Sequence, residues 1–118
     1  MHEYSIISSL FSICLEYLES HNATSIQKVI VSVGERANIE KSLLISAFET
    51  LKIEYSALSN AKIAIITQKL LLECNECKHS FHSVENPTCP MCQSTDTYII
   101  KGRDIKLESL ELEIDEGA

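Results

Sequence analysis

Residues 74–92 read Cys74-Asn-Glu-Cys77-Lys-His79-Ser-Phe81-His82-Ser-Val84-Glu-Asn-Pro87-Thr-Cys89-Pro90-Met-Cys92. Two Cys-x-x-Cys pairs stand eleven residues apart. Each pair presents two thiolates to one ion, and two pairs complete the tetrahedral S4 shell that zinc adopts in closed sites. Phe81 and Val84 are the main apolar residues of the stretch, so metal binding must supply much of its folding free energy. Four thiolates leave no open coordination position, which argues against hydrolytic zinc catalysis and for a structural zinc. S4 ligation alone also admits iron, and a redox dithiol would need an accessible cysteine with a depressed pKa. His79 and His82 follow Cys77 by two and five residues. They read as exposed loop histidines, or as side chains that hydrogen-bond or replace a thiolate as pH falls.

Upstream, residues 4–20 carry Ile7, Leu10, Cys14 and Leu18 at helical spacing, widened by Ile6, Phe11 and Tyr17. Cys14 on that stripe reads as a core thiol. Asn22 is a stop signal, and His21 suits the negative end of the helix. Residues 26–33 alternate, with Val29, Val31 and Val33 on one side, and Gly34 closes this strand. A second helix is expected from Glu40 to Tyr55 on Leu43, Leu44, Ala47, Phe48 and Leu51, with Glu40 favouring its positive end. Ser59-Asn60 is a turn, and residues 62–72 read as one strand running directly into Cys74.

Downstream, 97–100 look extended, Gly102 breaks them, and 104–114 form the last strand. Its apolar phase changes from Ile105 and Leu107 to Leu110, Leu112 and Ile114, which implies a β-bulge near Glu108-Ser109. The expected class is therefore α+β. Two helices pack on a three-stranded sheet, residues 1–73 together with 97–118, and a zinc-ribbon-like lobe, 74–96, is inserted between strands.

The bulk numbers agree with a small soluble protein. The chain has 118 residues, 45% of them apolar and 23% charged. It has no apolar run of about 18 residues, which argues against membrane insertion. The start, Met1-His2-Glu3-Tyr4, lacks a basic n-region, so a cytoplasmic location is expected. Five cysteines in a reducing compartment point to metal ligation or free thiols rather than disulfides. A net charge of −7 with singly scattered Lys and Arg gives no footprint for nucleic acid. From Cys74 to Lys101 the bases are Lys78 and Lys101, against Glu76, Glu85 and Asp96.

Met1-His2-Glu3 carries a second constellation. The Met1 amine, the His2 amide and the His2 imidazole lie within chelating reach of one ion, closing a five- and a six-membered ring. A fourth donor can come from the Glu3 amide, its carboxylate, or water. Such a nitrogen-rich planar set suits Ni(II) or Cu(II). A large second residue also protects Met1 from removal.

Met-His-Glu, a helix, a Val-rich strand ending at Gly34-Glu35, Ser46-Ala47-Phe48-Glu49 on the second helix, two Cys-x-x-Cys pairs and the closing Leu110-Glu111-Leu112-Glu113 together resemble the HypA/HybF family across essentially the whole chain. The resemblance implies a non-enzymatic nickel metallochaperone for [NiFe] hydrogenase maturation, and in some members for urease. It implies Ni(II) as cargo at Met1, His2 and Glu3, carried by the α/β part of the chain, and structural Zn(II) at Cys74, Cys77, Cys89 and Cys92. It implies a HypB-type GTPase as partner, the hydrogenase large subunit or its maturation complex as recipient, and urease maturation proteins as a further option. Glu40 reads as a helix-initiating acid, or as a further oxygen for nickel if the fold brings the start of the second helix near the N-terminus. The competing class is a zinc-ribbon module that binds protein or nucleic acid and has no nickel role.

Overall fold

A computed structural model describes residues 2–82 and 87–114. The expectations placed on Met1, Val84 and Glu85 lie outside the described residues. In chain order the elements are α1 (Glu3–Ser20), β1 (Ser25–Gly34), α2 (Lys41–Leu51), β2 (Lys62–Gln68), β3 (Leu71–Cys74), β4 (Ser80–His82), β5 (Thr97–Lys101) and β6 (Ile105–Glu113).

Nothing within α1 breaks a helix: it contains neither Gly nor Pro. It buries Ile7, Leu10, Phe11 and Cys14, the apolar stripe expected from the sequence. Tyr17, placed on that stripe, is instead 49% exposed at its margin. The helix stops because Asn22 takes a left-handed conformation, φ 51°, which Asn tolerates better than most residues. The Ala23 N–H then reaches the Leu18 carbonyl at 2.9 Å and the Asn22 N–H reaches that of Glu19 at 3.1 Å. Those two bonds are a Schellman closure, and they satisfy carbonyls the helix end would leave bare. His21 Nδ1 donates to the Tyr17 carbonyl at 2.9 Å, beside the helix end where a basic side chain was expected to sit.

The second helix is shorter than expected. It ends at Leu51, and a 3-10 turn over Lys52–Glu54 tightens the close. It buries Leu44, Ala47 and Phe48, whereas Leu43 faces out. Phe11 meets Phe48 and Tyr55 edge to face, at centroid distances of 5.5 and 5.3 Å.

The strands form two three-stranded sheets with orders β2-β1-β6 and β4-β3-β5, and in the second β3 pairs antiparallel with both β4 and β5. The first is the three-stranded sheet of the α+β class. The expected single strand over 62–72 is in fact two strands, one in each sheet. The ladder breaks at Leu70 because the amide of that residue donates to the Glu35 carboxylate, while the Gln68 carbonyl accepts from the Glu35 N–H at 3.0 Å. Gly34 must be glycine here: a Cβ on it would lie 2.3 Å from the Gly102 carbonyl carbon. In β6 the exposure pattern slips where a bulge was expected. Ile105, Leu107, Leu110 and Leu112 are half-buried, and Glu108 and Ser109 are both exposed.

By contacts the chain divides into two units. One takes 1–31, 39–65 and 107–118; the other takes 32–38 and 66–106. The first contains both helices and a core that includes Ile7, Phe11, Cys14, Ile26, Val29, Leu44, Phe48 and Leu58. The second contains 74–96 entirely, and its small core is Leu70, Leu72, Cys74, Phe81 and Cys89, with Ile99 packed against it. Among the described residues no helix is long and apolar enough to cross a membrane.

Candidate metal centre

Both Cys-x-x-Cys pairs adopt one and the same turn. In the first, the Lys78 N–H donates to the Cys74 carbonyl at 3.0 Å and the Cys74 N–H to the His79 carbonyl at 2.9 Å. In the second, the Gln93 N–H donates to the Cys89 carbonyl at 2.8 Å and the Cys89 N–H to the Ser94 carbonyl at 2.9 Å. Lys78 and Gln93 both take left-handed φ, 63° and 62°. This geometry aims the two thiols of each pair, and the turns' amides, at one point.

The four sulfurs lie within 4.8 Å of one another. Cys74 and Cys92 Sγ are 3.5 Å apart, and Cys77 and Cys89 Sγ 3.6 Å. A tetrahedron with metal–sulfur bonds of about 2.3 Å has edges of about 3.8 Å, so the set fits a zinc ion. The first cysteine of each pair is buried and the second exposed. At Cys74 the amide of Cys77 donates to the sulfur and draws its pKa below the ordinary thiol value. At Cys89 burial pushes upward, but the N–H groups of Cys92 and Met91 outweigh it and bring the thiol to about 7. Cys77 and Cys92 go the other way. The Ser94 amide lowers Cys92, yet the surrounding thiols push it up to about 12. At Cys77 the His79 amide lowers the value, but burial and neighbouring thiols leave it raised. Backbone amides thus reach all four sulfurs, and a dication at the centre would favour the anion at each.

No histidine nitrogen belongs to the cluster among the described residues. The His79 ring stacks on Phe81, centroids 6.3 Å apart. His82 Nδ1 donates to the Leu70 carbonyl at 2.9 Å. Two cross-strand ties next to the cluster escaped the sequence reading. The Tyr98 hydroxyl donates to the Glu73 carboxylate, and Asn75 is joined to Asp96 by side chain and backbone, both at 2.9 Å. Only the β3–β5 register, Glu73 opposite Tyr98, would have shown the first.

At the other candidate site, His2 is exposed and caps α1, its carbonyl accepting from the Ile6 N–H at 2.9 Å. Glu3 is 7% exposed. Its own backbone amide is the largest cause holding its carboxyl below the usual range, and the His2 ring acts in the same direction. Glu40 is the exposed N-cap of α2, with its carbonyl bonded to the Leu44 N–H at 3.0 Å. Cys14 stands apart as a fully buried thiol, raised to about 11 by burial.

Comparison with known proteins agrees along the full length. The family described as hydrogenase/urease nickel incorporation, metallochaperone, hypA, matches residues 1–112. The chain is 43% identical over 116 residues to the hydrogenase maturation factor HypA of Helicobacter hepaticus, covering 97% of this chain and 98% of that one. It is 39% identical over 114 residues to the hydrogenase/urease maturation factor HypA of Helicobacter pylori, covering 95% and 97%. The solution structure of the Ni metallochaperone HypA from Helicobacter pylori is similar at a TM-score of 0.78 and 38% identity, covering 98% of this chain and 100% of that one.

Proposed function

Because the chain belongs to the HypA family of nickel metallochaperones for hydrogenase and urease maturation, we propose that Met1, His2 and Glu3 form its nickel site and that Cys74, Cys77, Cys89 and Cys92 hold a structural zinc. It is a carrier rather than an enzyme, and a zinc-ribbon module without a nickel role is the disfavoured reading. In this reading residues 1–73 with 97–118 serve nickel and 74–96 serve zinc.

The observation that carries the zinc assignment is the cluster of four sulfurs within 4.8 Å. The nickel assignment rests on the family match and on His2 being exposed at the head of α1 next to Glu3, whose carboxyl is held below the usual range. An exposed imidazole at His2 suits transfer by ligand exchange, in which an acceptor displaces donors one at a time. The protein works with the hydrogenase maturation machinery. A HypB-type GTPase is the proposed partner, the hydrogenase large subunit or its assembly complex the recipient, and the cytoplasm the location. His79 or His82 is proposed to tune the zinc shell from beside it.

The test is a calorimetric nickel titration of three proteins: native, extended by one residue ahead of Met1, and His2→Ala. The extension turns the amine into a secondary amide, and the substitution removes the imidazole. Nickel affinity should fall in both variants while zinc content stays at one per chain. Equal affinity in all three would refute the N-terminal site.

A further inference from the structure

Leu70 marks the break between β2 and β3, and both of its backbone polar groups are held by side chains. Its N–H donates to Glu35 Oε1, and its carbonyl accepts from His82 Nδ1 at 2.9 Å. The residue is 2% exposed and belongs to the same small core as Cys74 and Cys89. Buried backbone groups must be paired, and these two have no strand neighbour to pair with. Glu35 is itself fixed, since its N–H donates to the Gln68 carbonyl at 3.0 Å. On either side the Gly34 N–H donates to the Asp104 carbonyl at 2.9 Å and the Arg36 N–H to the Gly102 carbonyl at 2.8 Å. His82 lies on β4, whose partner Leu71 is the next residue along.

We propose that Glu35 and His82 form a two-sided clamp on Leu70 that sets how tightly the cysteine cluster keeps its metal. The inference rests on the zinc reading given above. Its route is short. The clamp fixes the start of β3, β3 ends at Cys74, and the same strand is paired with β4 on one edge and β5 on the other. With the clamp released, β3 frays from Leu71 toward Cys74, and the first thiolate pair loses its register with Thr97. A residue in the segment after β1, with no contact to sulfur, thereby governs metal release. Glu35 and His82 are positioning residues, not ligands.

The experiment follows zinc transfer from the zinc-loaded protein to a chromogenic chelator. Glu35→Ala and His82→Ala should each speed release about tenfold, the size expected when a buried backbone group of Leu70 loses its part-buried hydrogen bond. Glu35→Gln keeps an acceptor and His82→Asn keeps a donor at the Nδ1 position, so both should restore most of the native rate. The double alanine variant should accelerate release by less than the product of the singles, because both side chains hold one residue. In the native protein, amide exchange at Leu70 should be slow, and it should quicken in Glu35→Ala. Native release rates in His82→Ala and Glu35→Ala would overturn the clamp, as would a double effect equal to the product. A native protein that binds no zinc would instead overturn the zinc reading. Should Glu35→Ala fail to fold, His82→Ala with its Asn counterpart decides alone, because His82 is exposed.

Discussion

Lys78 and Gln93 occupy the same place in two copies of one turn, at φ 63° and 62°, each donating its N–H to the carbonyl of its pair's first cysteine. A left-handed conformation costs a non-glycine residue about 1–2 kcal/mol, and the greater unfolded freedom of glycine offsets about half of that. Lys78→Gly and Gln93→Gly should therefore each stabilise the zinc-loaded lobe by about 0.5–1 kcal/mol. Gln93→Val should weaken it by about 1 kcal/mol or more, since a branched side chain fits that region worst. Chelator resistance of the three variants reads this out. An unchanged Gly variant beside an unchanged Val variant would refute it.

The helical unit depends on a different contact. The Phe11 ring meets Phe48 at 72° and Tyr55 at 75°, and Phe11 is 1% exposed. Phe11→Ala should cost about 3–5 kcal/mol, the range for emptying a buried aromatic site, including about 0.5–1.5 kcal/mol from each lost edge-to-face pair. Thermal unfolding followed by far-ultraviolet circular dichroism measures it. A loss below about 1 kcal/mol would mean the site collapses freely.

Both helices, the Val29-Val31-Val33 strand, the stop at Asn22 and the phase slip at Glu108-Ser109 were legible because each is a local pattern. Periodicity and turn chemistry express themselves within a few residues. The cysteine cluster was legible for the same reason, since ligand spacing is a local code. The split of 62–72 was not. Its cause is a carboxylate at Glu35, distant in sequence, and the run Lys62 to Leu72 shows no Gly or Pro to announce a break. Tyr17 and Leu43 misled for a related reason: apolar residues at the margin of a stripe stay partly wet, and only packing says which. Glu73 with Tyr98 is a cross-strand pair that needs the register before it can be seen.

Cys14 gives the helical unit a pH dependence. Burial raises its thiol from 9.0 to about 11, so between those values the folded state holds a proton that the unfolded chain has released. Stability from this group is complete below pH 9.0 and is lost as pH rises toward 11. Denaturant titrations at intervals across this window should show the decline, and Cys14→Ala should flatten it. The same thiol should resist alkylation in the folded protein at neutral pH. Rapid labelling of Cys14 without unfolding would contradict both statements.

Removing the metal should unfold one unit and spare the other. Among the described residues the cysteines sit in a buried cluster of five, of which Cys74 and Cys89 are themselves in the sulfur cluster. That leaves Leu70, Leu72 and Phe81, too few to offset the conformational entropy of ordering the segment, at about 1–2 kcal/mol per residue. The helical unit keeps Ile7, Phe11, Ile26, Val29, Leu44, Phe48 and Leu58 whether or not zinc is bound. Chelation, or Cys74→Ala or Cys92→Ala, should therefore abolish amide protection in β3, β4 and β5 while α1 and α2 keep theirs. During slow chelation the exposed Cys77 and Cys92 should be alkylated before the buried Cys74 and Cys89. Acid acts in the same direction, because protons compete with the metal for the thiolates. Zinc loss should therefore grow as pH falls. The decisive measurement is hydrogen exchange with and without chelator. Protection kept in β3 without zinc would make the metal an ornament of a stable lobe, and loss in α1 as well would make the two units one cooperative body.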